Sequence, residues 1–175
     1  MSAQERVQAY DYLLTRVQTG GSDESINGLF LADERRASID ATDLLQAGRL
    51  RPKAEILAAW NIFRLTEDVA MVAYFAKALS NAKADVRGAA AWAPASAPTQ
   101  ALIKGLQGMV RTETAELPMI HAVNKLLECH GVTKETVNAK EYKLYYRVLW
   151  SDDPATMTAT FSMLETNRPV AFVDN

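Results

Sequence analysis

One cysteine among 175 residues, Cys129, leaves no partner for an internal disulfide. A lone thiol fits a reducing compartment, so a cytoplasmic placement is expected. Glycine (8) and proline (6) are scarce. All-β chains need many turns, so this scarcity favours helices. Long apolar runs are missing too. A membrane span needs about 20 nearly unbroken apolar residues, and the most apolar stretch, Ala54 to Leu79, is interrupted by Arg64, Glu67 and Asp68. No membrane partner is expected. The first residues, Met1 to Arg6, lack the apolar centre of a signal peptide. Positive charge is not in excess: the formal net charge is −2, so nothing global points to nucleic acid.

Chemical motifs are equally sparse. There is no G-x-x-x-x-G-K-[ST] phosphate cradle, no G-x-G-x-x-G after a strand and no G-x-S-x-G elbow. Zinc needs about four ligands at recognisable spacing. One Cys and two His, with no C-x-x-C or H-x-x-x-H pair, do not supply them. Cys129 and His130 are adjacent, and neighbours on a helix point about 100° apart. They read as a buried thiol and a helix-ending imidazole rather than a nucleophile and its base. No metal, cofactor or catalytic residue is assigned. A convergent site of Glu113 or Glu116 with His121 is the weakest of three functional readings.

What is present is an apolar half and a charged quarter, 49% and 23% of the chain, the balance of a globular protein. The length suits one domain, 1–175, with a possible subdivision into 1–88 and 99–175 around a loop at 89–98. The expected fold is an all-α compact bundle of about seven helices, ending in a short extended tail.

Val7, Tyr10, Leu14 and Val17 recur at helical spacing, with Gly20-Gly21 as a stop. Ser22 or Asp23 can cap a short second helix burying Ile26, Leu29 and Phe30. Asp33 to Arg36 reads as a charged surface step before a helix at Asp40–Ala47. Pro52 opens a helix to Leu65 that is apolar on nearly every side, hence buried all round and central. Thr66 is the expected cap of the next segment, a stripe of Val69, Val72, Ala73, Ala76 and Leu79 whose end at Asn81–Arg87 extends or frays. Gly88 to Pro98 is rich in Ala and Pro and reads as a semi-extended spacer. Thr99, Pro118, Asn138 and Asp153-Pro154 each start a further helix.

Charge is uneven along the chain. Residues 1–34 carry two basic against six acidic groups, and residues 64–111 six basic against three acidic. Such asymmetry can draw neighbouring copies together. On the helix from Asn138 to Trp150, Tyr142, Tyr145 and Leu149 share an expected core face. Lys143, Tyr146, Arg147 and Trp150 share the other, the composition of an interface hot spot. Trp92 in its Ala/Pro segment, and Val170 and Phe172 in the tail, are further anchors. The leading expectation is a non-enzymatic structural or interaction protein. It would contact protein partners, chiefly itself, in a homo-oligomer or larger assembly such as a bacteriophage particle. The alternative is a helix-turn-helix DNA-binding regulator. Asp40–Ala47 and Pro52–Leu65 would flank the turn, with Arg49, Arg51 and Lys53 at the second helix's start. Five basic and five acidic residues between Asp33 and Glu55 leave that patch neutral.

Overall fold

The computed structural model describes residues 2–20 and 23–173. The described residues are all-α: ten α-helices and one 3-10 turn, with no strand. Ten exceeds the expected number of about seven, and the helix at 84–90 stands as a separate element where only an extension or frayed end of the preceding segment was expected. Among the described residues no helix is long and apolar enough to cross a membrane. The chain divides into two compact units, Met1–Tyr74 and Phe75–Asn175.

The first unit holds α1 (Ala3–Gln18), α2 (Glu24–Ala32), α3 (Glu34–Gln46), α4 (Pro52–Thr66) and a 3-10 turn at Val69–Met71. The Ser2 hydroxyl accepts from Glu5 N–H at 3.2 Å and the Glu5 carboxylate accepts from Ser2 N–H, a capping box that starts α1. Gly20 leaves it at φ +79°, in the left-handed region; Gly21 and Ser22 lie outside the described residues. Tyr10 and Val17 are buried but Val7 is 55% exposed, so only part of the expected stripe meets a neighbour. The Tyr10 hydroxyl donates to Asp40 Oδ2 at 2.7 Å, and the Arg36 guanidinium lies over its ring at 4.2 Å. Burial, and then that bond to Asp40, raise the phenol's pKa and keep it neutral.

Three features of this unit differ from expectation. The charged step is the first turn of α3, because the Asp33 carboxylate accepts from Arg36 N–H at 3.0 Å and caps the helix well before Asp40. Helix α4 is not buried all round. Trp60 is 40% exposed, and Leu57, Phe63 and Leu65 are half-buried. Its buried residues are Ala54, Ile56, Ala58, Ala59, Asn61 and Ile62. Thr66 ends α4 and does not cap the next segment. Asp68 is the cap there, accepting from Ala70 N–H at 2.9 Å.

Helix α5 (Val72–Ala78) crosses the boundary between the units. The second unit continues with α6 (Ala84–Ala90), α7 (Gln100–Thr112), α8 (Glu116–Cys129), α9 (Ala139–Leu149) and α10 (Pro154–Asn167). Helix α8 packs against α6, α7 and α9, and α10 against α7 and α9. Leu102, Leu106, Leu126, Leu127, Leu149 and Leu164 are fully buried among them. The caps expected at Thr99, Asn138 and Asp153 are formed. Thr99 is itself buried and accepts from Leu102 N–H at 3.2 Å. Thr99→Ala is expected to cost about 1 kcal/mol, measured as a lower urea midpoint with an unchanged slope.

The Ala/Pro segment is not a semi-extended spacer. Helix α6 runs into it as far as Ala90, and it continues in turns in which Ala91, Ala93, Ala97 and Pro98 are buried. Small side chains let this backbone pack inside the unit, and its one large side chain, Trp92, faces out. The tail lies on the same unit. His130 Nδ1 donates to the Arg168 carbonyl at 2.7 Å, and Val173 N–H donates to the Pro98 carbonyl at 3.1 Å.

Candidate functional site

Helix α9 carries the most distinctive surface. Asn138 accepts from the N–H groups of Lys140 and Glu141, which fixes the first turn and therefore the rotation of the whole helix. Tyr145 and Leu149 then face the core. Tyr142 does not join them, although it was expected on the core face. Its ring stacks on Tyr146, with centroids 6.1 Å apart at 25°, and Tyr146 stacks on Trp150 at 6.2 Å and 30°. Steps of four residues bring these side chains above one another. The result is a ladder of three rings along the outside of α9, with Trp150 37% exposed.

The ladder continues onto α8. The Tyr142 hydroxyl donates to Asn124 Oδ1 at 3.1 Å. Burial, and then the neighbouring Tyr146 and Glu135, raise the Tyr142 pKa, so the phenol keeps the proton it donates. One helical turn before Asn124, His121 meets Trp92. The indole N–H donates to His121 Nδ1 at 3.1 Å, and the rings pack edge to face with centroids 5.1 Å apart. Trp92 is 61% exposed. Asn124 lines two shallow concavities, one with Trp92 and His121 and the other with Tyr142, Tyr146, Lys134 and Lys143. Trp92, His121, Asn124, Tyr142, Tyr146 and Trp150 thus form a continuous strip. Cations flank it: Lys134 lies 5.9 Å from the Tyr142 ring, and Lys143 and Arg147 are exposed on α9.

No protein-family model, curated protein or solved structure matches the chain. The reading of its function therefore rests on the geometry alone.

The structure brings Trp92, Lys143, Tyr146, Arg147 and Trp150 to the strip. It leaves Val170 and Phe172 elsewhere in the same unit, lining a groove of about 310 Å³ with His130, Gln107 and Glu165. Phe172 is 46% exposed. Sequence reasoning grouped His121 with Glu113 or Glu116 rather than with Trp92, and missed Asn124; both are ordinary polar positions on α8 until Trp92 and Tyr142 arrive from 29 and 18 residues away. The spacing of Tyr142, Tyr146 and Trp150 was the one signal that could have found the ladder.

The other candidate residues stand apart from the strip. Arg49 and Arg51 are exposed before α4 and Lys53 is half-buried in its first turn. The Arg51 guanidinium lies against Gly20, where an added Cβ would come within 2.8 Å of Nη2. A cation there suits the carbonyl end of α1. Cys129 is buried, and that burial pushes its thiol up to about 12, far from a reactive thiolate. His130 is buried beside it, bonded to the tail carbonyl. Glu113 and His121 take different partners. Glu113 receives Arg87 Nε at 2.6 Å and Nη2 at 2.7 Å, while His121 receives Trp92. Glu116 is exposed on the first turn of α8. Among the described residues no three His, Cys, Asp or Glu side chains are grouped to hold a metal ion. A larger cavity, about 560 Å³ and lined by Leu79, Gly105, Gly108 and Thr112, has the Arg87–Glu113 pair as its polar end.

Proposed function

We propose that this chain is a non-enzymatic interaction protein that assembles with copies of itself through the aromatic strip of its second unit. The single observation that carries the reading is the three-ring stack of Tyr142, Tyr146 and Trp150 on the outer side of α9. Surface Trp and half-buried Tyr flanked by Arg is the composition of binding hot spots. Rings that already stack on one another have little side-chain freedom left to lose on docking, so more of the contact energy remains as affinity. Lys134, Lys143 and Arg147 around the rings complement the acidic character of the first 34 residues, and charge of opposite sign steers and orients encounter.

The test is mass in solution by sedimentation equilibrium along a dilution series, at low and high salt. A defined oligomer is expected, weakened by salt and dispersed by combined Tyr146→Ser and Trp150→Ser. A wild-type chain that is monomeric throughout, at both salts, would overturn the proposal. The same samples titrated with duplex DNA address the regulator alternative. Affinity that falls steeply with salt and disappears on replacing Arg49, Arg51 and Lys53 by Ala is the outcome that would favour it.

A further inference from the structure

His121 Nδ1 faces two partners of opposite kind. The Trp92 indole N–H points at it from 3.1 Å, and the Gly88 carbonyl oxygen lies 3.2 Å away. An indole only donates and a carbonyl only accepts, so this nitrogen serves one of them at a time. A neutral ring with its proton on Nε2 accepts from Trp92. An imidazolium carries hydrogen on both nitrogens, and its Nδ1–H opposes the indole N–H while suiting the carbonyl. Gly88 is ready to receive it. The carbonyl stands in the last turn of α6, and the nearby backbone donors pass it by: Ala91 N–H goes to Arg87 and Trp92 N–H to Ala89. An unpaired carbonyl at a helix C-terminus favours a cation.

We infer that protonation of His121 exchanges its hydrogen bond to Trp92 for one to the Gly88 carbonyl, freeing the indole that ends the aromatic strip. That the exchange regulates assembly rests on the function proposed above; the exchange itself rests on the three side-chain and backbone positions alone. The charged groups around the ring do not compete for Nδ1. Lys125 and Glu128 on α8 pair with each other at 2.6 Å, and Arg87 on α6 is held by Glu113. Trp92 in the pinned state presents its exposed face in one pose. Once freed, it must be ordered again on docking, which weakens association.

The experiment is a proton–nitrogen NMR titration of the full chain from about pH 8 to 5, the range in which histidines change charge. The Trp92 indole resonance is identified with Trp92→Phe. It is expected to shift and its proton to exchange faster with water, in step with the His121 ring, while the Trp60 and Trp150 indoles stay in place. In His121→Gln the Trp92 response should be lost. A Trp92 resonance that holds still while His121 titrates, a response that survives in His121→Gln, or a His121 ring that never changes form would overturn the inference. The indole signal belongs to the single chain and the sedimentation mass to the assembly, so either proposal can fail without the other.

Discussion

Glu113→Gln is expected to lower stability by about 3 kcal/mol at neutral pH, the cost of stripping a largely buried charge of its partner. The Glu113 side chain is fully shielded from solvent and that of Arg87 is 20% exposed. The carboxylate accepts four bonds: two from the guanidinium at 2.6 and 2.7 Å, and two from the N–H groups of Thr114 and Ala115. Arg87 also donates to the carbonyls of Asn81 and Ala82, so the pair ties α6, the turn before it and the α7–α8 connection together. A Gln amide presents a donor to the guanidinium and leaves the positive charge uncompensated. The effect carries a pH signature. Hydrogen bonding from Arg87 holds the Glu113 pKa below the usual carboxylate range, against an opposing effect of burial. A depressed folded pKa adds stability that is complete above the unfolded value, about 4.3, and disappears as pH falls through the folded one. The gap between wild type and Glu113→Gln in urea unfolding should therefore be full at neutral pH and close in acid. A gap independent of pH, or none at neutral pH, would show that the pair does not hold these segments together.

That ion pair was invisible in the sequence because its partners lie 26 residues apart and each reads as solvated charge. What was legible is local. Thr99, Asn138 and Asp153 bond backbone N–H groups two or three residues away, so their helix starts depend on nothing distant. The buried stripe of Leu102, Ile103, Leu106, Met109 and Val110 is local in the same sense: helical period alone places those side chains on one face. Composition misled where packing decides. A run of alanines and prolines at 88–98 has little apolar bulk, yet small side chains are what a closely packed backbone needs. An Asp-Glu-Arg-Arg run looks like surface, yet its aspartate caps α3. In α4, counting apolar residues could not tell that Asn61 would be buried while Trp60 stayed 40% exposed.

The candidate strip divides along the same line. Lys143, Tyr146, Arg147 and Trp150 were placed on one surface by helical geometry. Tyr142 sits within reach of either face, and its hydroxyl settles the choice by finding Asn124 on α8, which only the fold supplies. Trp92 reads from the sequence as an anchor in the Ala/Pro segment. Its role at the end of the strip depends on His121, a contact that no spacing encodes.

Two kinds of substitution on α9 should part stability from association. Leu149 is fully buried where α9 packs on α8 and α10, and Leu149→Ala is expected to cost about 3 kcal/mol through lost burial and the cavity left behind. Chains that remain folded keep the outer ladder, so their association constant should stay close to that of the wild type. Tyr146→Ser with Trp150→Ser does the reverse. Removing half-exposed rings from a helix surface leaves the core intact, while a hot-spot pair is worth about 2 kcal/mol or more of binding, roughly a thirtyfold weaker association. Urea unfolding reads the first quantity and sedimentation equilibrium the second. If both variants lose stability and association together, the ladder is only the outer layer of the core and its exposure has no binding role. If Tyr146→Ser and Trp150→Ser leave association untouched, the assembling surface lies elsewhere on the chain. Separation of the two readouts is the result that a docking face requires, because a side chain kept for packing cannot be removed without the fold registering it.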